Sequence, residues 1–137
     1  MVRFNKIYGV TYMTGLQNIA MSGYKHVNLD VLKEISEGSN DLMRDLIFLF
    51  ISQIPVFSEQ LDYYYKNEDF VSLGKLAHKI KSSVAMMGIS ELSSDMKKLE
   101  NLAQEKKDIH KYPEFIEKFK RISTEAVSEL NDILQSI

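Results

Sequence analysis

Apolar residues recur every three to four positions along most of the chain, a spacing typical of amphipathic α-helices and not of β-strands. Glycine and proline, which interrupt helices, number only six and two. Polar stretches at 67–69 and 106–108 break the pattern and predict turns. The predicted elements are a short helix ending at Ser36, and four long helices at about 40–66, 70–87, 91–105 and 113–137.

Several residues at the predicted helix ends have side chains that suit a helix boundary. Gly38 and Gly88 fit the left-handed conformation that ends a helix, and Ser90 is expected to cap the helix that follows. Pro113 fits the first turn of the last helix. Pro55 lies inside the long helix, but the apolar period continues across it, so we expect a kink there and not a break.

Four long amphipathic helices joined by short polar turns pack most simply side by side, each antiparallel to the next. The predicted fold is therefore an all-α, antiparallel up-down four-helix bundle with a short extra N-terminal helix. Residues 27–137 are assigned to this bundle. Residues 1–26 are assigned to an N-terminal extension, with a possible short helix at 16–20.

The apolar faces of the helices give the expected core. In the short helix we expect Leu32 and Ile35 to be buried. The seven methionines and seven phenylalanines are best explained as core filling. The expected apolar face of the long helix consists of Leu42, Leu46, Leu49, Phe50, Ile54, Phe57, Leu61 and Tyr64.

Composition narrows the class of function. The 137 residues suffice for one domain with its own core, and the net charge of −2 argues against nucleic-acid binding. The chain has no cysteine, which excludes disulfides, thiol nucleophiles and thiolate metal sites. No apolar run approaches the roughly 18 residues of a membrane span, and the N-terminus lacks the apolar segment of a signal peptide. We therefore expect a cytoplasmic protein that does not contact membranes.

One histidine, His78, lies on the polar face of the second long helix, at about 70–87. The residues within about 60° of it are mostly small or cationic: Val71, Gly74, Lys75, Lys81, Ser82 and Ala85. The opposite side is apolar: Leu73, Leu76, Ala77, Ile80, Val84 and Met87. His78 is therefore expected to project into solvent from a flat, positively charged surface, to which a second protein could bring a phosphate.

His78 is followed by Lys81, by the small residues Ser82 and Ser83, and by Gly88 about ten residues later. This pattern resembles that of the histidine-containing phosphotransfer (HPt) domain family of phosphorelays. Ser82 departs mildly from it, since many members carry glycine at that position.

Two further features support the resemblance. Ile80 fits the apolar position between the histidine and the lysine, and Leu99–Glu100 resembles a Leu-Glu pair on the family's next helix. The resemblance covers roughly residues 27–135. It implies a phosphorelay intermediate that accepts a phosphoryl group from the aspartate of one receiver domain and transfers it to another.

The resemblance implies chemical roles for three side chains. His78 is the phosphoacceptor, and Lys81, one turn later on the same face, hydrogen-bonds the phosphoryl oxygens. Glu100 is a candidate for contacting the other ring nitrogen and orienting the imidazole, with an ordinary surface glutamate as the open alternative.

Four residues near His78 are expected to help a partner dock. Gly74 and Ser82 leave room for its approach because they are small, although close helix packing also explains a glycine at position 74. Lys75 and Lys79 are expected to steer an acidic partner toward the histidine.

The remaining candidates are apolar or structural. Ala85 and Met86 are expected to give the partner an apolar contact beside the histidine. Ser83 is expected to bond back to a carbonyl one turn earlier, and Gly88 to end the helix.

The resemblance also implies the partners, which are response-regulator receiver domains and a hybrid sensor histidine kinase. The chain is most simply a monomer. No cofactor or bound metal is expected, since the receiver would bring the metal ion used in transfer. Neither kinase nor ATPase activity is expected, because a four-helix bundle of this length leaves no room for an ATP-binding domain.

Two alternatives stay open. One is a helical module that binds a receiver or another signalling protein without phosphotransfer, in which case replacing His78 leaves binding intact. The other is a helical carrier of a metal or cofactor. The sequence disfavours it, because neither a Glu-x-x-His pair nor a His-Glu-x-x-His signature is present.

Overall fold

The computed structural model describes residues 23–137, and these form an all-α fold without β-strands, as predicted. The short helix expected at 16–20 lies outside the described residues. No helix within 23–137 is both long and apolar enough to cross a bilayer. The helices are α1 (Leu29–Ile35), α2 (Asn40–Lys66), α3 (Phe70–Met86), α4 (Ser90–Glu105) and α5 (Tyr112–Ser136), with a 3₁₀ turn at Ile109–Lys111 before α5.

Helices α2 to α5 form the predicted bundle. Each packs against the next in sequence, and α5 closes the bundle by packing against α2. Because the connections are short, consecutive helices run antiparallel. The short helix α1 lies against α2 and α3 at one end of the bundle.

Side-chain caps begin three of the helices. Asn28 accepts hydrogen bonds from the backbone N–H groups of Asp30 and Val31 at the start of α1. Asp69 accepts one from Ser72 at the start of α3, and Ser39 caps α2 in the same way. The predicted cap at Ser90 is wrong, because α4 begins at Ser90 itself and Ile89 precedes it without a side-chain bond.

Helix α2 runs unbroken through Pro55, as expected from its continuous apolar period. Phe50, Phe57 and Leu61 of its predicted apolar face are buried, but the first half of that face differs from the prediction. Leu42 and Leu49 are exposed, and Met43 and Ile47 are buried in their place. The row of Leu42 and Leu49 continues with the polar Gln53 and Gln60, whereas the row of Met43 and Ile47 is apolar along the whole helix, so the full period favours the observed face. Ile35 at the end of α1 is also exposed, contrary to expectation, whereas Leu32 is buried.

Part of the predicted N-terminal extension is held on α5. Backbone N–H groups of His26 and Val27 donate to the Glu129 carboxylate, and the Tyr24 hydroxyl donates to Asp132 at 2.6 Å. The buried His26 ring lies 2.6 Å from Glu125. These contacts fix the segment that enters α1.

Candidate functional site

His78 projects outward from the middle of α3, as the helical period predicts. Its side chain is 62% exposed. On the opposite face of α3, the apolar residues Ala77, Ile80 and Val84 are fully buried in the bundle core. The core therefore fixes the helix rotation that leaves the imidazole accessible to a second protein.

The imidazole contacts a carboxylate on the neighbouring helix. Nδ1 of His78 lies 2.9 Å from Oε2 of Glu100 on α4, and Nζ of Lys81 lies 3.4 Å from the other carboxylate oxygen, Oε1. Glu100 is buried beside Leu99, so it holds a fixed position at the seam between α3 and α4. The structure thus has the contact between Glu100 and a ring nitrogen that the sequence suggested. The role of Glu100 in orienting the imidazole stays a prediction.

Glu100 is ionised at neutral pH. Burial raises the pKa of its carboxyl, but the hydrogen bonds and charges of Lys81 and His78 outweigh burial and leave the pKa below its ordinary value. An ionised carboxylate can only accept hydrogen bonds, so Nδ1 of His78 is the donor. In the neutral imidazole the free lone pair is then on Nε2, which is the ring nitrogen not bonded to Glu100.

Other predicted site residues lie where expected around His78. Ser82, Ala85 and Lys75 are exposed on the same side of α3. Met86 is partly exposed, and Lys79 is exposed with its Nζ 5.9 Å from the centre of the Phe57 ring. Whether these residues contact a partner stays a prediction.

Gly74 does not lie on the exposed surface around His78, so the predicted position of Gly74 on that surface is wrong. The residue is buried against α4, where an added Cβ would lie 3.5 Å from Cβ of Ala103 and 3.6 Å from the carbonyl oxygen of Glu100. Both distances are ordinary van der Waals separations, so an added methyl group would fit between α3 and α4 at this position.

The hydrogen bond predicted from Ser83 to a carbonyl of its own helix is also wrong. The Ser83 hydroxyl instead donates to Oε1 of Gln53 on α2, at 3.4 Å. The reason is the rotation of α3, which turns Ser83 toward α2.

Gly88 ends the His78 helix in the left-handed conformation, as predicted, with φ +69°. An unpredicted contact adds a second constraint. The backbone N–H of Asn28 donates to the carbonyl of Met87, and a Cβ on residue 88 would lie 2.4 Å from Cβ of Asn28. The segment before α1 thus packs directly on the end of α3.

A cleft of about 530 Å³ opens between α1, α3 and α4, next to Lys81. Lys97 lines this cleft and was not among the predicted site residues, although it stands three residues before Glu100 and so on the same face of α4. This cleft is lined by nine residues: Asn28, Val31, Lys81, Ala85, Gly88, Ser90, Ser93, Ser94 and Lys97.

Residues 23–137 contain no group of three or more histidine and acidic side chains placed to hold a metal ion. The charged and titratable groups that meet at this site are the His78 imidazole, the Glu100 carboxylate and the Lys81 ammonium.

Comparisons with known proteins agree with this geometry. A sequence model of the family described as the Hpt domain matches residues 45–137. The phosphorelay intermediate protein YPD1 of Candida albicans is 28% identical over 89 residues, which cover 63% of this chain and 47% of that protein. The chain thus spans about half the length of the curated relative that it matches. No solved structure matches it significantly.

Proposed function

This chain belongs to the Hpt domain family, and we propose that it is a phosphorelay intermediate that carries a phosphoryl group on His78. The group arrives from the phosphorylated aspartate of one receiver domain and leaves to the aspartate of another. The similarity to a protein named as a phosphorelay intermediate supports this proposal.

The observation that carries the proposal is the difference between the surroundings of the two ring nitrogens of His78. Nδ1 is bonded to Glu100 at 2.9 Å, which leaves the Nε2 lone pair on a side chain that is 62% exposed. A nucleophile for a macromolecular donor must be both unprotonated and reachable, and Nε2 of the neutral imidazole, whose proton is on Nδ1, meets both requirements.

In the forward step, the Nε2 lone pair forms a bond to phosphorus while the bond between phosphorus and the aspartyl oxygen breaks, which releases the aspartate carboxylate. The proton on Nδ1 stays in place, so the phosphorylated ring carries a positive charge. The Glu100 carboxylate, bonded to Nδ1, stabilises that charge. The return step reverses each bond change at the next receiver.

Lys81 is the residue placed to neutralise the phosphoryl oxygens. It lies one turn after His78 on α3, and its ammonium is 3.4 Å from Glu100. Phosphoryl transfer depends mainly on positioning and charge stabilisation, which an ammonium beside the reacting nitrogen supplies. Because Glu100 fixes both Lys81 and the imidazole, the site is arranged before the partner arrives.

The partners under this proposal are response-regulator receiver domains and a hybrid sensor histidine kinase. The receiver supplies the metal ion for the transfer. One exposed histidine on a bundle suffices for this chemistry, so we expect the chain to work as a monomer. Its expected compartment is the cytoplasm, where ATP-dependent kinases can load the relay.

The test is a two-stage transfer. The chain is mixed with a radiolabelled, phosphorylated receiver domain, repurified and mixed with a second, unlabelled receiver. We expect label to appear on the chain as an acid-labile, alkali-stable phosphoamide and then on the second receiver. Binding of receivers without label, across several receivers and with the fold verified, would instead establish a non-catalytic interaction module.

Replacing Glu100 separates its orienting role from its charge. We expect Glu100→Ala to slow phosphotransfer to His78 by about 10- to 100-fold, as happens when the carboxylate that orients a metal-bound histidine is replaced. Glu100→Gln keeps an oxygen that accepts the hydrogen bond from Nδ1–H, so the phosphotransfer rate should stay within about tenfold of wild type. Single-turnover transfer rates measure both. Equal losses in the two variants would contradict an orienting role.

The lowered pKa of Glu100 also predicts the pH dependence of stability. A depressed carboxyl pKa stabilises the fold above the ordinary carboxyl pKa of 4.5, and this contribution is lost as the pH falls through the folded-state value. The free energy of unfolding of the wild type should therefore exceed that of Glu100→Gln, and this difference should be larger at pH 7 than at pH 3. Urea unfolding of both proteins at the two pH values measures this, and a difference that grows in acid would contradict it.

A further inference from the structure

We propose that the cleft between α1, α3 and α4 receives an acidic side chain of the receiver that docks on His78, and that Lys97 is the residue that binds it. This inference rests on the proposed function, because it assigns a second contact to the same partner.

The charge of the cleft favours an acidic occupant. Its charged lining residues are Lys81 and Lys97, and no carboxylate lines it. Lys81 is already neutralised in part by Glu100. Lys97 is exposed, and within residues 23–137 it forms no ion pair. Lys97 is therefore a cation available to a partner, on a chain whose net charge is −2.

The remaining lining suits a side chain that is polar at its tip and apolar along its stem. Serine hydroxyls at 90, 93 and 94 stand near Lys97 on α4, and Val31 and Ala85 give apolar surface from α1 and α3. A carboxylate can accept hydrogen bonds from hydroxyl and ammonium groups at once, while its methylene groups pack on the apolar residues.

The cleft lies close to the histidine that would carry the phosphoryl group. Lys81 lines the cleft and stands one turn from His78, and Lys97 stands one turn from Glu100, the partner of His78. A stable interface covers about 800 Å² on each partner, which corresponds to a patch about 30 Å across. A receiver with its aspartyl phosphate at Nε2 therefore covers the cleft as well.

Adjacent lysines on α4 give a matched pair of variants. Lys97 and Lys98 are both exposed, but only Lys97 lines the cleft. The experiment measures phosphotransfer from a phosphorylated receiver domain to wild type, Lys97→Glu and Lys98→Glu over a range of receiver concentrations. Lys97→Ala serves as a milder second variant, and circular dichroism verifies the fold of each.

We expect Lys97→Glu to raise the half-saturating receiver concentration by about fivefold to tenfold, as reversal of a charge at an interface rim does. The rate at saturation should stay within about twofold of wild type, and Lys98→Glu should change neither quantity by more than about twofold. Added salt should narrow the difference between wild type and Lys97→Glu.

Three results would overturn the proposal. Equal effects of Lys97→Glu and Lys98→Glu would mean that general charge, and not the cleft, attracts the receiver. A lower saturating rate at an unchanged half-saturating concentration would place Lys97 in the chemistry. Inorganic phosphate that shifts the amide resonances around Lys97 at micromolar concentration would assign the cleft to a free anion. Absence of transfer to wild type would instead reject the proposed function itself.

Discussion

Replacing His78 by glutamine is expected to reduce phosphotransfer to the chain by at least about a thousandfold, the scale seen when the nucleophile of a reaction is removed. The glutamine amide nitrogen has no free lone pair, because its electrons are delocalised into the carbonyl. The fold should be unaffected, since the His78 side chain is 62% exposed and outside the core. Transfer of radiolabel from a phosphorylated receiver measures the loss.

The chain contains its own control for that substitution. His110 is exposed in the 3₁₀ turn before α5 and is distant in sequence from the His78 site. His110→Gln makes the same chemical change at a second exposed histidine, and it should transfer at the wild-type rate. Undiminished labelling of His78→Gln would mean that the phosphoacceptor is another residue.

Replacing Gly88 by alanine is expected to destabilise the fold by about 3 kcal/mol. A left-handed conformation costs an alanine about 1–2 kcal/mol, and the displacement of a packed neighbour adds a comparable amount. At Gly88 the φ angle is +69°, and the added Cβ would lie 2.4 Å from Cβ of Asn28. Because Asn28 also bonds to Met87, α1 and α3 must separate to make room. Urea unfolding measures the change.

Gly38 provides the matched comparison for Gly88. Its φ angle is +77°, but an added Cβ there would find nothing within 4 Å. Gly38→Ala should therefore lose only the conformational part, about 1–2 kcal/mol. Equal losses at the two positions would show that the packing of Asn28 on the end of α3 contributes nothing to stability.

The sequence was sufficient to predict the parts of the site that depend on one helix. The helical period around His78 turns the histidine outward because Ala77, Ile80 and Val84 must face the core. Gly88 was recognisable as a helix terminator because few other residues adopt a positive φ. The contact of His78 with Glu100 needed the family resemblance in addition, since the two residues are on different helices.

Several of the mistaken predictions concern contacts between helices. Gly74 lies on the polar side of α3 by its period, but α4 covers it, and no pattern within α3 reveals that neighbour. Leu42 and Leu49 on α2 are apolar but exposed, in a row that continues with the polar Gln53 and so does not face the core. Lys97 was missed because the cleft exists only where α4 meets α1 and α3.

The most direct test of the central claim is to determine which atom carries the phosphoryl group. The chain is labelled with nitrogen-15 at histidine, phosphorylated by a receiver domain and studied by phosphorus and nitrogen NMR. Coupling of phosphorus to Nε2 of His78, with Nδ1 still protonated, is the predicted result. A phosphoryl group on Nδ1, or on any other residue, would contradict the account of a site in which Glu100 holds Nδ1 and exposes Nε2.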